Sequence, residues 1–123
     1  MPFRTVLVVD DDNGIREVIQ EALESEGYDT CAASNGKEAL KILSWRADIG
    51  LVLLDLTMPV MSGSEFIKAV QSDFILSDTP IVVLSAVADE KNSNGAIAYL
   101  RKPLELCSIF DLVEKHCLKK RLN

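Results

Sequence analysis

Short, unbroken apolar runs punctuate the chain, and each is followed closely by a polar residue. Val6-Leu7-Val8-Val9 runs into Asp10, Asp11 and Asp12, Leu51-Val52-Leu53-Leu54 into Asp55, Ile81-Val82-Val83-Leu84 into Ser85, and Tyr99-Leu100 comes just before Lys102. Runs of this length without alternation predict strands buried on both faces. Between them the apolar period lengthens to that of a helix. Ile15, Val18, Ile19, Ala22 and Leu23 follow the i, i+3, i+4 rhythm, with Gly27 placed to stop the helix in a left-handed conformation. A further strand is expected near Asp29 to Ala33. Asn35 with Glu38 reads as a capping box for a second helix carrying Ala39, Leu40 and Leu43. Ser62 with Glu65 repeats the device for a third, which buries Phe66, Ile67 and Val70. Ser77-Asp78-Thr79-Pro80 then turns the chain into the fourth strand, and Leu106, Ile109, Phe110, Val113 and Cys117 share one face of the last helix. Strand and helix alternate to a nominal five of each, which predicts an α/β fold with a parallel sheet covered on both faces.

The polar residues that end the runs carry the chemistry. Open α/β sheets bind ligands outside the carboxyl ends of their strands, and here those ends offer Asp10, Asp11, Asp12, Asp55, Ser85 and Lys102. Crowded carboxylates repel one another, by roughly 4 kcal/mol per pair at about 4 Å and an intermediate dielectric. Without a cation one of them should keep its proton. A hard Mg²⁺ ion resolves the conflict by taking one or two carboxylates together with waters and phosphate oxygens. Asp55 then remains ionised, and a carboxylate nucleophile accepts a phosphoryl group as an acyl phosphate. Metal, ammonium and hydroxyl donors stabilise the charge of such a transfer.

Taken in order and spacing, the segments Val8-Val9-Asp10-Asp11-Asp12, Leu53-Leu54-Asp55-Leu56-Thr57-Met58-Pro59 with Gly63, Pro80 to Ala86, and Gly95-Ala96 leading to Tyr99-Leu100-Arg101-Lys102-Pro103 resemble the receiver domain of two-component response regulators. The resemblance spans the whole chain, residues 1–123. It implies a flavodoxin-like, doubly wound sheet of strand order 2-1-3-4-5, and a signalling domain, not a conventional enzyme, that catalyses its own Mg²⁺-dependent phosphorylation and dephosphorylation. It further implies Asp55 as phosphoacceptor, Asp11 as a direct Mg²⁺ ligand, Asp10 as a carboxylate acting directly or through metal-bound water, and Thr57 as donor of a backbone carbonyl to the metal. Ser85 would hydrogen-bond the phosphoryl group, Lys102 would pair with it, and Tyr99 would be the aromatic switch, while Asp12 matches a variable position. The implied phosphodonor is a sensor histidine kinase or a histidine phosphotransfer protein, and a downstream protein target would read the switch. Only Val87 to Asn94 stand between Ala86 and Gly95, where the family holds a full fourth helix. A shortened helix or loop is expected there, mobile until phosphorylation orders it.

Composition narrows the picture. The formal net charge of −6 argues against direct nucleic-acid binding, and Lys119-Lys120-Arg121 is too short to reverse it. No apolar run approaches a membrane span and Met1-Pro2-Phe3-Arg4 lacks a signal-peptide pattern, so a soluble cytoplasmic protein is expected. Cys31, Cys107 and Cys117 lack metal-like spacing and read as reduced core thiols, Trp45 as packing near the end of the second helix, and His116 as a helix-surface residue. Other classes fit less well. A phosphatase of the haloacid-dehalogenase type needs a second Asp where Thr57 stands, and a nucleotide-binding module needs a Gly-rich loop where the three aspartates stand. A pseudo-receiver would have lost one of Asp11, Asp55, Ser85 or Lys102.

Overall fold

The computed structural model describes residues 5–55, 60–85, 95–101 and 105–117, Ser85 by its backbone. Thr57, the 87–94 segment, Lys102 and Lys119-Lys120-Arg121 lie outside the described residues. Strands β1 (Thr5–Val9), β2 (Asp29–Ala33), β3 (Ile49–Asp55), β4 (Ile81–Ser85) and β5 (Ala98–Arg101) form one parallel sheet in the order β2-β1-β3-β4-β5. Four helices are described, α1 (Asn13–Ser25), α2 (Gly36–Trp45), α3 (Gly63–Ser72) and α4 (Leu106–His116). This is the flavodoxin-like arrangement expected. The chain runs outward from β1 to β2 and then crosses back past β1 to β3, so the order reverses between β1 and β3. In open α/β sheets such a reversal is where ligands bind, outside the carboxyl ends of the two strands.

Strand residues alternate between two cores. Leu7, Val9, Val52, Leu54, Ile81 and Val83 pack with Ala39 and Leu43 of α2 and with Phe66, Ile67 and Val70 of α3. Val6, Val8, Leu51, Leu53, Val82 and Leu84 pack with Ile19 and Leu23 of α1 and with Ile109 and Val113 of α4. Because both faces are covered, every residue of β1 and β3 is buried and the sequence shows no alternation. Truncating Leu23, which is fully buried, would cost about 3 kcal/mol.

The helix ends follow local chemistry. Asp12, outside α1, accepts the Ile15 N–H at 3.1 Å. At the other end Gly27 adopts φ +94°, while Gly27 and Tyr28 donate to the Glu24 and Leu23 carbonyls at 3.0 and 3.1 Å. That Schellman closure brings Tyr28 into the core with Leu23. Ser62 and Glu65 form the reciprocal box expected at α3. The one expected at α2 is only half made: Asn35 accepts the Glu38 N–H at 2.8 Å, but the Glu38 carboxylate takes the Ser34 hydroxyl at 3.0 Å.

Several apolar residues are not where periodicity alone placed them. Val18 is 58% exposed and Trp45 77%, so neither packs as expected. Trp45 lies two residues beyond buried Leu43, about 200° around the helix and thus on its far side. Cys107 is exposed for the same reason relative to Ile109, whereas Cys31 is half-buried and Cys117 buried. Burial pushes the Cys117 thiol up to about 11, keeping it protonated. Leu106 lies on the face of Ile109 and Val113 but, at the first residue of α4, is still 38% exposed.

At the amino ends of the strands a polar clasp closes the sheet. Arg46 grips Asp48 through Nε at 3.0 Å and Nη2 at 2.8 Å, and the Thr5 hydroxyl donates to Asp48 at 2.5 Å. The Thr5 N–H also donates to the Asp48 carbonyl at 3.1 Å, tying β1 to the turn before β3. Principally through the Arg46 hydrogen bond, the Asp48 carboxyl is held down at about 2.

Candidate functional site

Parallel register brings the carboxylates together. Val9 pairs with Leu54, so Asp10 and Asp55, the next residue on each chain, come level at the carboxyl rim. Across β3 and β4, Asp55 pairs with Leu84; across β4 and β5, Ser85 pairs with Arg101. Asp55, the backbone of Ser85 and the residue just before Lys102 therefore occupy adjoining strand ends, as the sequence led us to expect. Thr57 and Lys102 themselves lie outside the described residues.

One carboxylate oxygen from each of Asp10, Asp11 and Asp55 lies within 4.8 Å of the other two. Asp10 and Asp55 are buried, at 1% and 7% exposure, while Asp11 opens to solvent. At such separations two ionised carboxylates repel by roughly 3 kcal/mol with an effective dielectric near 20. Three hard oxygen donors, two of them shielded from water, fit a small divalent cation that takes carboxylates and keeps several waters.

The loop leading out of β1 is held from several directions. The Asp12 N–H donates to Asp10 Oδ1 at 2.9 Å, fixing the orientation of that carboxylate. Arg16, on the first turn of α1, donates from Nη1 to the Asp10 carbonyl at 2.6 Å and from Nη2 to Asn13 Oδ1 at 2.7 Å. Neither Arg16 nor the structural part played by Asp12 was anticipated from sequence. A capping signal was present at Asp12, an Asp just ahead of an apolar-periodic segment, but among three consecutive aspartates it does not stand out.

Tyr99 is half-buried on β5 and packs against the core shared by α2 and α3. Its buried hydroxyl has no hydrogen-bond partner among the described residues. An unsatisfied buried phenol is an inexpensive group to move, since turning outward would regain a hydrogen bond. Val60, just ahead of α3, has φ +71°, a left-handed conformation unfavourable for a β-branched residue.

Comparison with known proteins bears on this site. The family model described as the response regulator receiver domain matches residues 6–114. The sporulation initiation phosphotransferase F of Bacillus subtilis is 34% identical over 116 residues, covering 90% of this chain and 91% of that protein. The transcriptional regulatory protein CrdR of Helicobacter pylori is 37% identical over 108 residues, and the match takes in 84% of this chain but only 50% of CrdR. Among solved structures, the response regulator TrrA of Thermotoga maritima in complex with Mg(2+)-BeF superposes with a TM-score of 0.80 at 34% identity, covering 91% of this chain and 97% of that one.

Proposed function

The chain belongs to the response regulator receiver domain family, and on that premise we propose that Asp55 is the residue that receives the phosphoryl group. The observation that carries the proposal is the convergence of the Asp10, Asp11 and Asp55 carboxylates within 4.8 Å at the switch point of the sheet. Asp10, Asp11 and Asp55, with the Thr57 carbonyl, would hold Mg²⁺, and the bound ion would offset their mutual repulsion and the charge of the phosphoryl oxygens. The Mg(2+)-BeF complex of TrrA supports this assignment, because beryllium fluoride imitates a phosphoryl group.

In the transfer an Asp55 Oδ atom attacks phosphorus as the phosphorus–nitrogen bond of a donor phosphohistidine breaks. The imidazole departs with the bonding electron pair and takes a proton from solvent. Burial of Asp55 limits its hydration. The Ser85 hydroxyl and the Lys102 ammonium donate hydrogen bonds to the phosphoryl oxygens. Hydrolysis reverses the change: water attacks phosphorus and the Asp55 carboxylate leaves. Tyr99, whose hydroxyl has no partner among the described residues, is the group whose movement reports the modification.

Donor, target and location follow from the same reading. A histidine kinase or a histidine phosphotransfer protein supplies the phosphoryl group, and a protein target reads the phosphorylated form. None of the described helices is long and apolar enough to cross a membrane, which agrees with a cytoplasmic setting. Acetyl phosphate with Mg²⁺ tests the assignment of Asp55. Intact mass should show one phosphoryl group on the parent and none on Asp55→Asn. Equal incorporation in both proteins would move the acceptor elsewhere.

A further inference from the structure

The acidic loop that presents Asp10 and Asp11 must hold its shape against the repulsion of its own charges. β1 ends at Val9 and α1 begins at Asn13, so Asp10, Asp11 and Asp12 make the whole turn. Asp12 secures one half of it: its N–H donates to the Asp10 carboxylate at 2.9 Å and its side chain caps α1 through the Ile15 N–H at 3.1 Å. The other half depends on Arg16. Its Nη1 meets the Asp10 carbonyl at 2.6 Å and its Nη2 meets Asn13 Oδ1 at 2.7 Å, one planar fork joining the strand end to the helix start.

The Asp10 carbonyl belongs to the peptide whose nitrogen is that of Asp11. Fixing this oxygen fixes the plane from which the Asp11 side chain projects. Asp11 is the exposed member of the three carboxylates, without the packing that confines Asp10 and Asp55. We propose that Arg16 is a positioning residue for the Mg²⁺ site: by clamping the Asp10–Asp11 peptide it holds the Asp11 carboxylate in ligating position. The inference rests on the reading of Asp10, Asp11 and Asp55 as metal ligands.

Charge and position make opposite predictions for this residue. A guanidinium held on the Asp10 carbonyl repels a cation approaching the Asp10 carboxylate, so if Arg16 acted only through charge, its removal would tighten Mg²⁺ binding. If it acts by positioning, removal weakens binding, by about 10-fold as for other groups that orient metal ligands. Lysine keeps the charge but cannot form the fork to two acceptors. Arg16→Lys should therefore recover only part of what Arg16→Ala loses.

Isothermal titration of parent, Arg16→Ala, Arg16→Lys and Asp11→Ala with MgCl₂ decides the matter, alongside amide hydrogen exchange at Asp11 and Asp12 in the metal-free proteins. The expected result is a Kd raised about 10-fold in Arg16→Ala, an intermediate value in Arg16→Lys, and faster exchange in the loop of both variants. A parent that binds Mg²⁺ with an Arg16→Ala variant of equal or tighter affinity would overturn the positioning role alone. Should the parent bind no Mg²⁺, or should Asp11→Ala bind as tightly as the parent, the reading of the metal site would fall and the inference with it. A variant that melts earlier yet keeps the parent Kd would show a helix-stabilising role instead.

Discussion

Asp55 stands opposite Leu84 in the parallel register, which sets Ser85 one residue farther along the neighbouring strand toward the same rim. On the proposed reading its hydroxyl donates to a phosphoryl group carried by Asp55. Ser85→Ala is expected to slow phosphate uptake from acetyl phosphate by about 100-fold, the usual effect of removing a donor from developing anionic charge. Its Mg²⁺ affinity should match the parent's, because Ser85 is outside the proposed ligand set. Initial rates at saturating Mg²⁺ test this, and a parent-like rate would exclude Ser85 from the transfer.

Mg²⁺ should stabilise the folded protein in the absence of any phosphodonor. Binding confined to the folded state adds about 2.7 kcal/mol when free metal reaches roughly 100 times Kd, a rise of several degrees in Tm for a domain of this size. Asp11→Ala should lose most of that response while melting higher than the parent in EDTA, since one repelling carboxylate has gone. Superimposable parent melts with and without Mg²⁺ would contradict the site.

The clasp at the other rim gives stability its pH dependence. The folded Asp48 carboxyl, at about 2, lies below its ordinary 3.8, so the ionised form is favoured by folding. The stabilisation is complete above the ordinary value and disappears as pH falls from about 4 to about 2. Because Arg46 and Asp48 are each about a third exposed, it is expected to be worth on the order of 1 kcal/mol. Urea unfolding of parent and Asp48→Asn should differ by that amount at pH 7 and converge toward pH 2. A gap that stays constant with pH would mean that the ion pair is not its source.

Val60, at φ +71°, holds a conformation that glycine adopts without steric cost. Val60 is also 75% exposed, so its side chain contributes little packing. Val60→Gly should raise stability by about 1 kcal/mol, the relief of strain exceeding the entropy gained by the unfolded chain. Thermal melts check this, and a lower Tm would show that the left-handed turn is not limiting.

Much of the fold could be read before any coordinates, because its strands are buried on both faces. The run Leu51 to Leu54 is unbroken for that reason, and Asp55 marks where the strand meets the rim. The capping residues Asn35 and Ser62 were legible because they act on their own next turn. Face width was harder. Val18, Trp45 and Cys107 satisfy an apolar pattern, but periodicity does not say how far around a helix the covering sheet extends. Side-chain contacts that close only with the fold left no local trace. Arg16 finds the Asp10 carbonyl only once the loop has closed, and Thr5 meets Asp48 from 43 positions away. The acidic cluster was legible because each member ends a run or follows one, and parallel register puts such ends side by side.

The Thr5–Asp48 clasp and the Asp10 carboxylate stand at opposite ends of the same strand. Five residues of extended chain separate Thr5 from Asp10, about 16 Å, which exceeds the Debye length of roughly 8 Å at physiological salt. Coupling between Asp48 and the acidic rim is correspondingly weak, carried mainly by the part of the path that runs through the buried sheet, where salt screens least. A pH profile of unfolding therefore carries two separate contributions, one from the clasp at the amino end of β1 and one from the carboxylates at its carboxyl end.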